Sequence, residues 1–212
     1  MTTGASDTDL THQGLRVSND GRVLLLACGA LAREILDIIK INGWTHLDLQ
    51  CLPAILHNEP DKITPAVKDA LAKYRDGYDT VFVVYADCGT GGQLQALCEA
   101  EGVEMVAGPH CYSFFEGNDV FAGRDEITAF YLTDFLVRQF DAFVIKPLGL
   151  DRHPQLRDMY FGHYTKLVYQ SQVPTDDLMT KARDAANQLG LAFEHRHTGY
   201  GDLAPALKRA AS

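Results

Sequence analysis

VVYADCGTGGQLQAL, residues 83–97, and LLLACGALAREILDII, residues 24–39, share one layout. In each, an apolar run ends at a Cys-Gly pair and a helical period follows, which reads as strand, tight turn, helix. The repetition decides the fold class. Short, continuously apolar runs alternating with helical stretches call for a largely parallel sheet, its strands buried on both faces and its helices covering both sides.

Working outward, the first strand covers Arg22–Ala27, and the helix after it sets Leu31, Ile35, Ile38 and Ile39 on one stripe. Leu47–Cys51 reads as a second strand. It leads into a helix for which Thr64 and Pro65 are a cap and first-turn pair. Val81–Tyr85 is the third strand, Gln93–Glu101 its helix, and Val103–Ala107 a short fourth strand ending at GPHCYSFFEG. Glu126–Phe140 is expected to be an aromatic-rich helix, apolar around more than one stripe and so fit for a core or a dimer surface. The sheet is then expected to resume with Tyr164–Gln170, a helix over Asp176–Leu189 and a last strand, Ala192–Arg196. Residues 1–20 are polar and aperiodic and read as a disordered lead. Residues 21–212 then form a single α/β domain, with 126–162 as a helical insertion or subdomain.

Composition narrows the function classes. A formal net charge of -9 and the lack of any Lys/Arg run argue against nucleic-acid binding, which needs a basic face. No apolar stretch is long enough for a membrane span, and MTTGASDTDLTHQG has neither the basic nor the apolar region of a signal peptide. A cytoplasmic location is expected. There, five cysteines are thiols or metal ligands rather than a disulfide framework.

Placed on this outline, Cys28, Cys51, Cys88 and the pair His110-Cys111 fall at or just past the carboxyl ends of strands. His197, Thr198 and Gly199 follow the last strand in the same way. That edge of an open parallel sheet is where ligands bind, because its loops converge while the strands hold them. A single cysteine in apolar surroundings is most often a small core residue, and Cys98, on a helical stripe with Leu94 and Leu97, is read so. No CxxC or HExxH motif is present, so a metal site here is assembled from distant loops. Gly89, Gly91 and Gly92 serve either a tight turn or a backbone amide cradle for an anion. His57, beside Asn58 and Pro60, reads as ordering a turn, although a ligand or proton-carrier role is open to it, and Lys146 before Pro147 reads as a loop residue.

The segments ACGALAREI, LQCLPAILHNEPDKI, YADCGTGG, AGPHCYSFF and RHTGYGDL resemble the successive signatures of a bacterial and archaeal family catalogued as a domain of unknown function, number 1638. The likeness covers nearly the whole chain after the polar lead. It implies a setting rather than a reaction: members tend to be encoded near corrinoid-dependent methyltransferases for methylated amines and betaines. From that come the expectations of one-carbon metabolism and of a corrinoid protein or methyltransferase as partner, with any corrinoid reached through it.

The leading expectation is a metal-dependent enzyme or metal-site protein, with Cys28, Cys88 and Cys111 as ligands and Cys51 or His110 completing or supporting the site. Thiolates suit zinc or an iron–sulfur cluster. Three sulfurs leave a coordination position for activating a substrate or a methyl-accepting thiol. Gly89, Gly91 and Gly92, with Arg196, His197 and Thr198, would then hold a small anionic substrate. Two alternatives stand beside it: a metal-free cysteine nucleophile at a helix N-terminus, and a non-enzymatic accessory protein binding a small molecule or corrinoid in the same cleft.

Overall fold

The computed structural model of the chain describes residues 5–212, so the first four residues of the expected lead lie outside the described residues. In chain order the elements are α1 (Asp7–His12), β1 (Leu15–Val17), β2 (Val23–Cys28), α2 (Ala32–Asn42), β3 (Leu47–Leu52), α3 (Ile63–Tyr74), β4 (Thr80–Val84), α4 (Gln93–Glu101), β5 (Glu104–Met105) and α5 (Cys111–Glu116). After these come α6 (Asn118–Arg124), β6 (Ala129–Thr133), α7 (Asp134–Arg138), α8 (Arg157–Phe161), β7 (Lys166–Ser171), α9 (Asp176–Leu189), β8 (Ala192–His197) and α10 (Leu203–Ala210). The class is mixed α/β with mostly parallel sheets flanked by helices, as the strand–turn–helix repeats imply. Among the described residues no helix is long and apolar enough to cross a membrane.

The chain divides into two compact units, Met1–Phe114 with Asp202–Ser212, and Phe115–Gly201. The first holds a five-stranded sheet in the order β1-β3-β2-β4-β5. Only β1 runs antiparallel, pairing Leu15 with Cys51; β2, β3, β4 and β5 are parallel. Leu24 to Cys28 are all buried, as a central strand covered on both sides requires. From β2 the chain moves to β3 on one side and then returns to β4 on the other, so the order reverses between β2 and β4. In open α/β sheets this switch point leaves a crevice at the carboxyl ends, because the connecting loops diverge to opposite faces.

Several expectations change here. Residues 5–20 are not a disordered lead: Ser6 and Asp9 form a capping box that starts α1, and Leu10 and Thr11 are buried. The helix is too short for its period to show. Gly29 explains the seating, since a Cβ there would lie 2.3 Å from the Leu10 carbonyl oxygen, and only glycine admits so close an approach. Thr64 does not cap α3. It lies inside the helix with its hydroxyl buried and unpartnered, and Lys62 is the cap residue without a side-chain hydrogen bond.

The expected helix over Glu126–Phe140 is instead β6 followed by α7, with the Thr133 hydroxyl accepting the Leu136 amide as N-cap. Two elements of different period in tandem produced the apolar wrap. The later strands do not resume the first sheet. They form a separate parallel sheet, β6-β7-β8, in the second unit. Its core packs Leu132, Leu167 and Tyr169 against Leu178, Ala182 and Leu189 of α9.

Candidate functional site

Cys28 is the last residue of β2, extended, and its Sγ accepts the Ala30 amide at 3.4 Å. Cys88 follows β4 across the switch point and carries φ of +50°, a left-handed conformation that a side chain other than glycine adopts at a cost of about 1 kcal/mol. Its amide donates to the Pro109 carbonyl at 2.9 Å and that of Asp87 to Gly108 at 3.0 Å, tying this loop to the one after β5. That second loop delivers Cys111 at the first residue of α5. A 3₁₀ turn after β3, Ala54–Asn58, carries His57.

These side chains meet. Cys28, His57, Cys88 and Cys111, with Tyr85, Ala30, Leu31 and Ala86, line one small void of about 10 Å³. His57 Nδ1 lies 3.6 Å from Cys28 Sγ, and the ring stacks 6.5 Å from that of Tyr85. Tyr85 is buried and its hydroxyl has no hydrogen-bond partner of ordinary geometry, although it is near enough to Cys28 for each to perturb the other's titration. Among the described residues, no group of three or more His, Cys, Asp and Glu side chains is arranged to hold a metal ion. The three cysteines of the void stand as free thiols.

Burial dominates the electrostatics. It pushes the Cys28 thiol up to about 12, against the opposing pull of the Ala30 amide and Tyr85 hydroxyl, and carries Cys111 to about 12 as well. Cys88 is also raised by burial, with His57 opposing. For His57 burial works to lower the pKa, but the hydrogen bond and charge of Cys88 outweigh it and the net direction is up. The imidazole thus has its geometric contact with Cys28 and its electrostatic one with Cys88. As whole residues Cys88, Cys111 and His57 are only half-buried; their titrating atoms are the desolvated part.

The other expected residues are elsewhere. Cys51 is buried in β3 between Leu15 and Ala27 and does not line the void, although its charge would act on Tyr85. His110 stacks on Tyr112 at 4.8 Å, and burial leads in lowering its pKa, with the Asp87 charge opposing. Cys98 is buried on α4, as its helical spacing requires. Gly89, Gly91 and Gly92 all adopt positive φ, yet the cradle is filled from within: the Asp87 carboxylate accepts the Gly91 amide at 3.2 Å, the Gly92 amide at 2.7 Å and the Thr90 hydroxyl at 2.8 Å. The Gly92 amide leads in holding that carboxyl below its ordinary range.

In the second unit, Arg196 contacts Glu194 at 2.6 Å, Glu126 at 2.8 Å and Glu116 at 3.4 Å, so its donors are engaged by the chain's own carboxylates. Lys166 joins the same network through Glu126 and Glu194. His197 is exposed at the end of β8, and Thr198 donates its amide to the Ser171 carbonyl at 3.0 Å.

Sequence reasoning set His57 aside and missed Tyr85. Both obey the strand-end rule used for the cysteines, His57 just after β3 and Tyr85 just after β4. Reading Tyr85 as the last residue of an apolar strand hid its polar tip.

The family model described as Protein of unknown function (DUF1638) matches residues 51–207. The chain belongs to this family. The DUF1638 match takes in His57, Tyr85, Cys88 and Cys111 and begins after Cys28, so one wall of the void lies outside it. No curated protein and no solved structure matches the chain. The DUF1638 description names no reaction, and it transfers no residue roles.

Proposed function

We propose that this DUF1638 protein is a metal-dependent enzyme or metal-site protein, with the sulfurs of Cys28, Cys88 and Cys111 as ligands. The observation that carries the reading is their meeting, from three separate strand-end loops, around a single void at the switch point. Core cysteines have no reason to converge there. Buried neutral thiols do not attract one another, and an entering cation would displace their protons and draw the sulfurs inward.

The raised thiols work against a metal-free nucleophile, which needs a thiolate favoured at neutral pH. In the proposed site a zinc-like ion would supply the missing positive charge, acting as a Lewis acid on a small molecule or lowering the pKa of an incoming thiol. Methyl transfer to such a thiol in one-carbon metabolism is the reaction class this chemistry would serve. The anion-holding role proposed from sequence has little support, since Asp87 fills the glycine cradle and three glutamates engage Arg196.

The test is metal content of the full chain purified without oxygen. Wild type and Cys98→Ala are expected to carry metal and Cys88→Ala to lose it. Equal content in Cys88→Ala and Cys98→Ala would end the metal reading.

A further inference from the structure

Resting on that reading, the geometry points to a single thiophilic divalent ion bound by the three sulfurs and by His57 Nδ1 as the fourth donor, rather than to an iron–sulfur cluster. We infer this from distance, volume and an orphaned polar group.

Metal–sulfur bonds of about 2.3 Å and metal–nitrogen bonds of about 2.0–2.1 Å meeting near the tetrahedral angle place sulfur and nitrogen roughly 3.6 Å apart. Cys28 Sγ and His57 Nδ1 are 3.6 Å apart. A thiol–imidazole hydrogen bond also spans this distance, but it needs only one sulfur, and here Cys88 and Cys111 line the same void. The volume sets the nuclearity. About 10 Å³ is roughly the space of one water-sized body. Even the smallest iron–sulfur cluster combines two irons and two bridging sulfides and exceeds it.

The Tyr85 hydroxyl is the independent sign of a missing group. It is buried on the wall of this void with no hydrogen-bond partner of ordinary geometry, the Cys28 thiol being the hydrogen-bonding group near it, and a buried hydroxyl so placed is costly unless a better acceptor forms beside it. A thiolate of the bound state is a better acceptor for its proton than a neutral thiol. Neither Cys51 nor His110 lines the void, so His57 takes the place that sequence spacing assigned to one of them. Ion binding would release the three thiol protons to solvent and leave His57 neutral, with its proton on Nε2. Because sulfur and nitrogen donors close the shell, a substrate donor would enter by displacing His57, which is carried on a short 3₁₀ turn.

The experiment is an anaerobic titration of metal-stripped full-length protein with cobalt(II), read by its visible d–d and near-ultraviolet sulfur-to-cobalt bands. Wild type is expected to bind one equivalent with a tetrahedral spectrum. His57→Ala should keep the sulfur band, shift the d–d bands and bind at least about tenfold more weakly, since even outer-shell losses cost that much. His57→Cys should recover affinity with a stronger sulfur band. A His57→Ala spectrum and affinity equal to wild type would overturn the fourth-ligand assignment while leaving the three-sulfur site standing. Uptake of iron and sulfide as a cluster would overturn the single-ion assignment, and no cobalt uptake by wild type would overturn the metal reading itself.

Discussion

The Asp87 carboxylate accepts the Gly92 amide at 2.7 Å, closing the glycine loop on a group two positions ahead of its first glycine. An anion cradle at the start of α4 thus has its anion built in. The bond also anchors the segment on which Cys88 sits. Asp87→Ala is expected to destabilise the protein by about 1–2 kcal/mol, as loss of a cap does, and to weaken metal retention through the loosened loop. Because the folded pKa is depressed, the contribution is present above the ordinary carboxyl range and is lost as pH falls through the folded value. Urea midpoints of wild type and Asp87→Ala should therefore converge in acid. A midpoint gap that stays constant from neutral pH into acid would refute the assignment.

Cys88 poses a sharper choice, because its φ of +50° is one that glycine adopts cheaply and alanine does not. If its sulfur is the reason for a side chain there, Cys88→Gly and Cys88→Ala should both lose metal. The metal-free proteins should differ in stability, with Cys88→Gly more stable by about 1 kcal/mol. Comparing their urea midpoints in the presence of a chelator checks the strain. Equal midpoints would mean that the backbone at Cys88 relaxes without penalty.

The charged face of the second sheet makes a separate prediction. Burial alone would raise the Glu126 carboxyl, but hydrogen bonds from Lys166, Arg196 and Tyr131 outweigh it and bring it to about 2. A folded pKa below the unfolded one contributes stability that is full above about pH 4.5 and disappears as pH falls toward 2. With the side chain 22% exposed, the contribution is on the order of 2 kcal/mol after solvent screening. Glu126→Gln should accordingly be less stable than wild type at pH 7 and lose less on acidification. Arg196→Met should cost more, about 2–4 kcal/mol, because it removes the largely buried cation that Glu116, Glu126 and Glu194 share, leaving Glu116 to Arg124 and Gln170 and the other two to Lys166. Chemical denaturation at several pH values would expose the error if Arg196→Met proved neutral.

The first unit was legible where one element occupied one run of sequence. Val23–Cys28, Ala32–Asn42 and Gln93–Glu101 sit close to where apolar runs and helical stripes placed them, because buried strands and amphipathic helices write their periods directly into the chain. Legibility failed where elements are short or joined without a turn, as at Asp7–His12 and at the Ala129–Thr133 to Asp134–Arg138 junction. Membership of a sheet was hidden as well: Lys166–Ser171 reads as a parallel strand in either unit, and nothing local says which neighbours it pairs with. The strand-end rule found three of the four sulfur and nitrogen donors that line the void. It missed His57 because the neighbouring Asn58 and Pro60 explain the turn without invoking the ring.

Gly29 offers a last test, one that joins the fold to the site. A Cβ at this position would meet the Leu10 carbonyl oxygen at 2.3 Å and the Leu52 carbonyl oxygen at 3.0 Å, and both obstacles are backbone rather than movable side-chain ends. Gly29→Ala must therefore displace α1 or the turn that follows Cys28. Overpacking of this kind costs about 1–3 kcal/mol. Gly77→Ala is the matched control, since a Cβ there meets nothing within 4 Å and φ is not positive, so it should be neutral or slightly stabilising. Hydrogen exchange would distinguish the routes: faster exchange across Asp7–His12 with metal affinity kept means that α1 has yielded, whereas slow exchange there with weakened metal binding means that Cys28 has moved. Gly29→Ala with wild-type exchange, stability and metal affinity would show that α1 does not press on the Cys-Gly turn as described.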